Sequence, residues 1–98
     1  MMSTLHVISS SPFADTRLGS CLRTLGPNDG LLLCGEAVQA LRPGTPMALR
    51  LGTLAGTRLY ALDEDCLARG LESVEAEQVD YPGFVELSLR YTRVNTWL

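Results

Sequence analysis

The segment Leu59-Tyr60-Ala61-Leu62-Asp63-Glu64-Asp65-Cys66-Leu67-Ala68-Arg69-Gly70-Leu71 decides how this chain folds. Its first four residues form a short apolar run without alternation, the pattern of a strand covered on both faces. Three acids follow at once. Asp63 suits a helix N-cap, Glu64 and Asp65 place negative charge against the positive end of the helix dipole, and Arg69-Gly70 stops the helix. A strand that feeds directly into a helix is half of a β-α-β unit, the connection that parallel strands require.

The alternation continues outward in both directions. Leu5-His6-Val7-Ile8 and Leu31-Leu32-Leu33-Cys34 read as two more buried strands. Residues 77–80 make a weaker strand, and residues 94–98 a short edge strand. From Asp15 onward, Leu18, Cys21, Leu22 and Leu25 fall on one helical stripe, which Gly26-Pro27-Asn28-Asp29-Gly30 terminates. Residues 36–41 read as a short helix ended by Arg42-Pro43-Gly44, while residues 47–54 mix helix formers with Gly52. A last helix begins after Asp80, with Pro82 in its first turn, and runs through Phe84, Val85, Ser88 and Leu89. This order predicts an α/β fold: a three-layer sandwich around a small, mainly parallel sheet, with a flavodoxin-like strand order. With 98 residues and no repeat or linker, residues 1–98 are read as a single domain.

Composition narrows the function. Charged residues are 19% of the chain, below the usual roughly 25%. A small domain short of charge leaves apolar residues at its surface, which points to a partner, and to homo-oligomers when the chain is made alone. The segment 94–98, ending in Trp97 and Leu98, is the expected part of that surface. The net charge is −3 and the arginines are scattered, so no basic face for direct nucleic-acid binding is expected. Neither a signal-peptide pattern nor an apolar run of membrane-spanning length is visible, which predicts a soluble, cytoplasmic protein without membrane contact.

Site motifs of high specificity are missing: P-loop, dinucleotide fingerprint, nucleophile elbow and H-E-x-x-H. No cofactor and no metal site is expected, and the turns after the strands lack a Ser/Thr/Gly run to cradle a flavin phosphate. His6, the only histidine, lies in the first strand and reads as a structural residue. Cys21, Cys34 and Cys66 are an odd number without a C-x-x-C pair, which fits reduced thiols. Cys34 reads as a small core residue at a strand end. Cys66 lies in the first turn of a helix, where the dipole can lower a thiol pKa. Cys21 carries two readings, a core residue of the apolar stripe or a thiol that carries sulfur.

Four stretches in register resemble the TusB/DsrH family of sulfur-relay subunits. The strand and A-R-G helix of residues 59–71 are similar to its signature. Leu5-His6 with Ser11-Pro12 resembles its L-H-x-x-x-x-S-P opening, Asp80-Tyr81 with Phe84-Val85 and Leu87 its D-Y-x-x-F-V-x-L, and Thr96-Trp97-Leu98 its Trp-containing end. Residues 42–56 match least. The resemblance implies a DsrEFH-like fold and a heterohexamer with TusC/DsrF-like and TusD/DsrE-like subunits. It implies transfer of persulfide sulfur from TusA to TusE, for 2-thiolation of the tRNA wobble uridine. The working cysteine then belongs to the TusD-type subunit, and this chain is a non-catalytic component. Ser20-Cys21-Leu22 matches the DsrH form of the first helix, which keeps open a sulfur-oxidation complex of DsrEFH type with Cys21 handling sulfur. A stand-alone sulfurtransferase is the remaining reading.

Overall fold

The computed structural model describes residues 2–14, 16–54, 58–71 and 74–97. Five strands, β1 (Thr4–Ile8), β2 (Gly30–Leu33), β3 (Leu59–Leu62), β4 (Glu77–Val79) and β5 (Arg93–Trp97), form one sheet in the order β4-β3-β2-β1-β5. All four neighbouring pairs are parallel. The α helices are α1 (Arg17–Thr24), α2 (Pro46–Leu51), α3 (Asp63–Ala68) and α4 (Tyr81–Arg90). Residues Gly35–Leu41 and Gly52–Leu54 are 3₁₀ helices on either side of α2. The tighter winding suits segments too short to complete more than a turn or two. The start of the first helix at Asp15 lies outside the described residues, as does Leu98 at the end of the edge strand.

The α/β class and the parallel sheet match the expectation from sequence, and the layers follow from the strand order. From β1 to β4 the chain steps in one direction, so right-handed crossovers put α1, α2 and α3 on one face. The step from β4 to β5 returns across the sheet and puts α4 on the other. Two apolar clusters record this. Ile8, Leu31, Leu33, Leu59 and Ala61 pack with Leu18, Cys21, Leu51 and Cys66, whereas Leu5, Val7, Leu32 and Leu62 pack with Leu87 and Phe84 of α4. The direction of winding reverses at β1, which has β2 on one side and β5 on the other. A flavodoxin order, 2-1-3-4-5, has its outlying strand second in the chain; here that strand is the last.

Local chemistry explains several boundaries. Asp80 caps α4, its Oδ1 accepting the Gly83 N–H at 2.7 Å, with Pro82 in the first turn. Asp63 does not cap α3: it is the first helical residue, and the capping position falls to Leu62, which has no side-chain cap. Because β3 runs straight into the helix, the nearby acid turns elsewhere, and Asp65 Oδ2 accepts the Gly35 N–H at 2.8 Å. Gly70, at φ 68°, ends α3 in the left-handed region that suits glycine. In α4 the deeply buried residue is Leu87, while Val85 and Leu89 of the periodic set are exposed. Gly30 is favoured by packing, since a Cβ there would run into the Tyr91 hydroxyl.

Candidate functional site

His6, Asp29 and Trp97 join three segments distant in sequence. His6 lies on β1 and is 6% exposed, the one buried polar side chain among the described residues. The indole Nε1–H of Trp97 donates to His6 Nδ1 at 3.0 Å. An indole nitrogen only donates, so the ring proton of neutral His6 sits on Nε2, facing Asp29 Oδ2 at 3.3 Å. Asp29 also accepts the Thr4 N–H on Oδ1 and the Gly26 N–H on Oδ2, both at 2.9 Å. Burial alone raises the Asp29 pKa, but these N–H groups and the His6 ring outweigh it and hold the carboxylate below its ordinary value. Every polar atom of the His6 ring thus has a structural partner, as a satisfied core histidine requires. Neither Asp29 nor Trp97 had been singled out as its partner in the sequence. The available signal was that a buried histidine needs a donor and an acceptor from elsewhere in the chain.

The three cysteines lie apart. Cys21, on the buried stripe of α1, is 0% exposed, and its thiol is pushed up to about 12 by burial, with a further push from Asp29. Cys66 is equally buried in α3. Its thiol is raised by burial and by Asp65 and Asp63, so the helix dipole does not make it reactive. Cys34 follows β2 and is half-buried, with its Sγ 3.6 Å from the Ile8 carbonyl oxygen, and it too is raised by burial and by Asp65. Of the three, Cys34 alone opens toward the carboxyl end of the sheet, where parallel α/β folds place their crevices. No group of three or more His, Cys, Asp or Glu side chains able to hold a metal occurs among the described residues. No helix among them is long and apolar enough to cross a membrane.

The arginine of the A-R-G stretch is structural. Arg69 directs Nε and Nη2 to Glu36 Oε1 at 3.1 and 2.6 Å, and Nη1 to the Asp65 carbonyl at 3.1 Å. These contacts tie the end of α3 to the 3₁₀ helix after β2. The acids Asp63 and Glu64 line an open depression with Leu67 and Gln78.

Fold and site together define a small parallel α/β protein whose thiols are held in their protonated form. Comparison with known proteins makes the assignment specific. The profile of the family described as "DsrH like protein" matches residues 10–94, so the chain belongs to the DsrH-like family. A curated relative from Escherichia fergusonii, named Protein TusB, is 35% identical over 96 residues, covering 95% of this chain and 99% of the relative. Proteins of the same name from Escherichia coli O81 and Shigella boydii serotype 18 are each 34% identical over the same shares.

Proposed function

We propose that this chain is the TusB-type, non-catalytic subunit of a cytoplasmic sulfur-relay complex. Its companions are TusC/DsrF-like and TusD/DsrE-like subunits in a heterohexamer. The complex receives persulfide sulfur from TusA and passes it to TusE, for 2-thiolation of the tRNA wobble uridine. The observation that carries this reading is the near full-length likeness to proteins named TusB. The thiols support the non-catalytic role. A persulfide carrier needs an accessible, partly ionised sulfur, and all three thiols here are shifted toward the protonated form.

The second reading, a DsrH-type subunit of a sulfur-oxidation complex, is favoured by Ser20-Cys21-Leu22. The burial of Cys21 weighs against its handling sulfur in either branch, and we assign it to the core. Deleting the gene and measuring 2-thiouridine in bulk tRNA tests the function. Loss of the modified nucleoside, restored by the wild-type chain and by Cys34→Ser, supports the tRNA reading. Unchanged 2-thiouridine removes it.

A further inference from the structure

Among the described residues a single helix, α4, covers the second face of the sheet, and it carries apolar side chains on both its inner and its outer side. Leu87 and Phe84 of α4 point into the cluster beneath it. On its outer side Tyr81, Val85 and Leu89 are 54%, 59% and 80% exposed. Their spacing of four residues places them in one row, about 12 Å long at the helical rise. The ends of the row differ in charge. Exposed Asp80 begins the helix, and the carboxylates of Glu64 and Asp65 act on the Tyr81 hydroxyl from α3, holding it protonated. At the other end stands exposed Arg90, which also pairs with Glu86 one turn back at 3.3 Å.

We propose that this row is a self-docking surface on which a second copy of the chain packs antiparallel, across a two-fold axis through Val85. About that centre Tyr81 of one copy meets Leu89 of the other, and Val85 meets its own counterpart. Arg90 comes opposite the capping Asp80 of the second copy, and the helix dipoles oppose. The acidic end of each row then faces the basic end of its mate. A parallel arrangement sets Asp80, Glu64 and Asp65 of the two copies against each other and is disfavoured by charge. Residue pairing of this kind, i with j and j with i, is what an isologous contact requires. The proposal concerns this chain alone and does not depend on the sulfur-relay reading.

The test uses the full chain. Sedimentation equilibrium should show a concentration-dependent dimer, and Val85→Glu should weaken it at least tenfold while leaving the melting curve unchanged at concentrations where both chains are monomeric, since the position is already exposed. Val85→Cys should form a self-linked disulfide dimer under mild oxidation. Chains carrying Tyr81→Cys or Leu89→Cys should link to each other faster than either links to itself, with peptide mapping separating these links from any through Cys34. Several results overturn the proposal: a wild-type monomer throughout, a dimer indifferent to Val85→Glu, or preferential Tyr81-to-Tyr81 linkage. So does a row that becomes covered only when a different subunit is added.

Discussion

Trp97 and His6 are 91 residues apart, and the indole N–H of one donates to the imidazole Nδ1 of the other at 3.0 Å. The contact fastens the edge strand β5 to β1, next to its parallel backbone pairing, and Ile8 lies in register with Trp97. It also fixes the His6 tautomer, and so directs the other ring nitrogen at Asp29. Replacing Trp97 with Phe keeps most of the apolar area but leaves Nδ1 buried without a donor. The expected cost is about 1–3 kcal/mol. Hydrogen exchange should rise most at the amides of β5, and a uniform rise across the sheet would show that the bond does not anchor this strand.

Asp29 is expected to contribute to the acid limit of the fold. Its carboxylate is held below the ordinary value in the folded state, so its stabilising contribution is present above the unfolded pKa of about 3.9. That contribution is lost as pH falls through the folded value. Asp29→Asn should lower stability at neutral pH and flatten the acid limb of a stability curve, because the titrating group is gone. An acid limb of unchanged steepness would assign it to other carboxylates.

Cys21 works in the opposite direction. Its thiol is raised to about 12, so the stability it contributes is intact below about pH 9 and declines as pH rises toward 12. The decline is about 1.4 kcal/mol per pH unit for a single group. Cys21→Ser should cost about 1–3 kcal/mol through a poorly satisfied buried hydroxyl. In the native protein an alkylating reagent should reach half-buried Cys34 before Cys21 or Cys66. Fast labelling of Cys21 without loss of stability would place it outside the core.

Gly30 and Tyr91 are coupled by shape. A Cβ at Gly30 would collide with the Tyr91 hydroxyl and the ring carbon that bears it, so Gly30→Ala should destabilise by about 1–3 kcal/mol. Tyr91→Ala removes the obstruction, so the two substitutions together should cost less than their sum. Strict additivity, read from urea melts, would mean the ring moves aside freely.

Much of this architecture was legible because its signals are local. β1, β2 and β3 are continuous apolar runs, and the stripe Leu18-Cys21-Leu22-Leu25 fixes which side of α1 faces inward. The features that were not legible depend on distant neighbours. Asp63 has the chemistry of a cap, yet the direct join of β3 to α3 moves the cap to Leu62. Asp29 reads as a turn residue, and nothing near it announces bonds to Thr4 and His6 on another strand. Cys66 shows the same limit, because the helix position favours a thiolate while burial and two nearby acids oppose it. In α4 the periodicity names Val85 and Leu89, but the sheet takes Leu87, leaving the other row to face outward.

We propose that this chain serves a sulfur relay without carrying sulfur on its own thiols. The most direct measurement is to feed cells isotope-labelled sulfur, isolate the chain with whatever accompanies it, and map persulfides by mass spectrometry. Two homologous small subunits are expected in the preparation, with label on a cysteine of a partner and none on Cys21, Cys34 or Cys66 of this chain. A labelled persulfide on any of those three residues, or a chain that comes out alone, would contradict it.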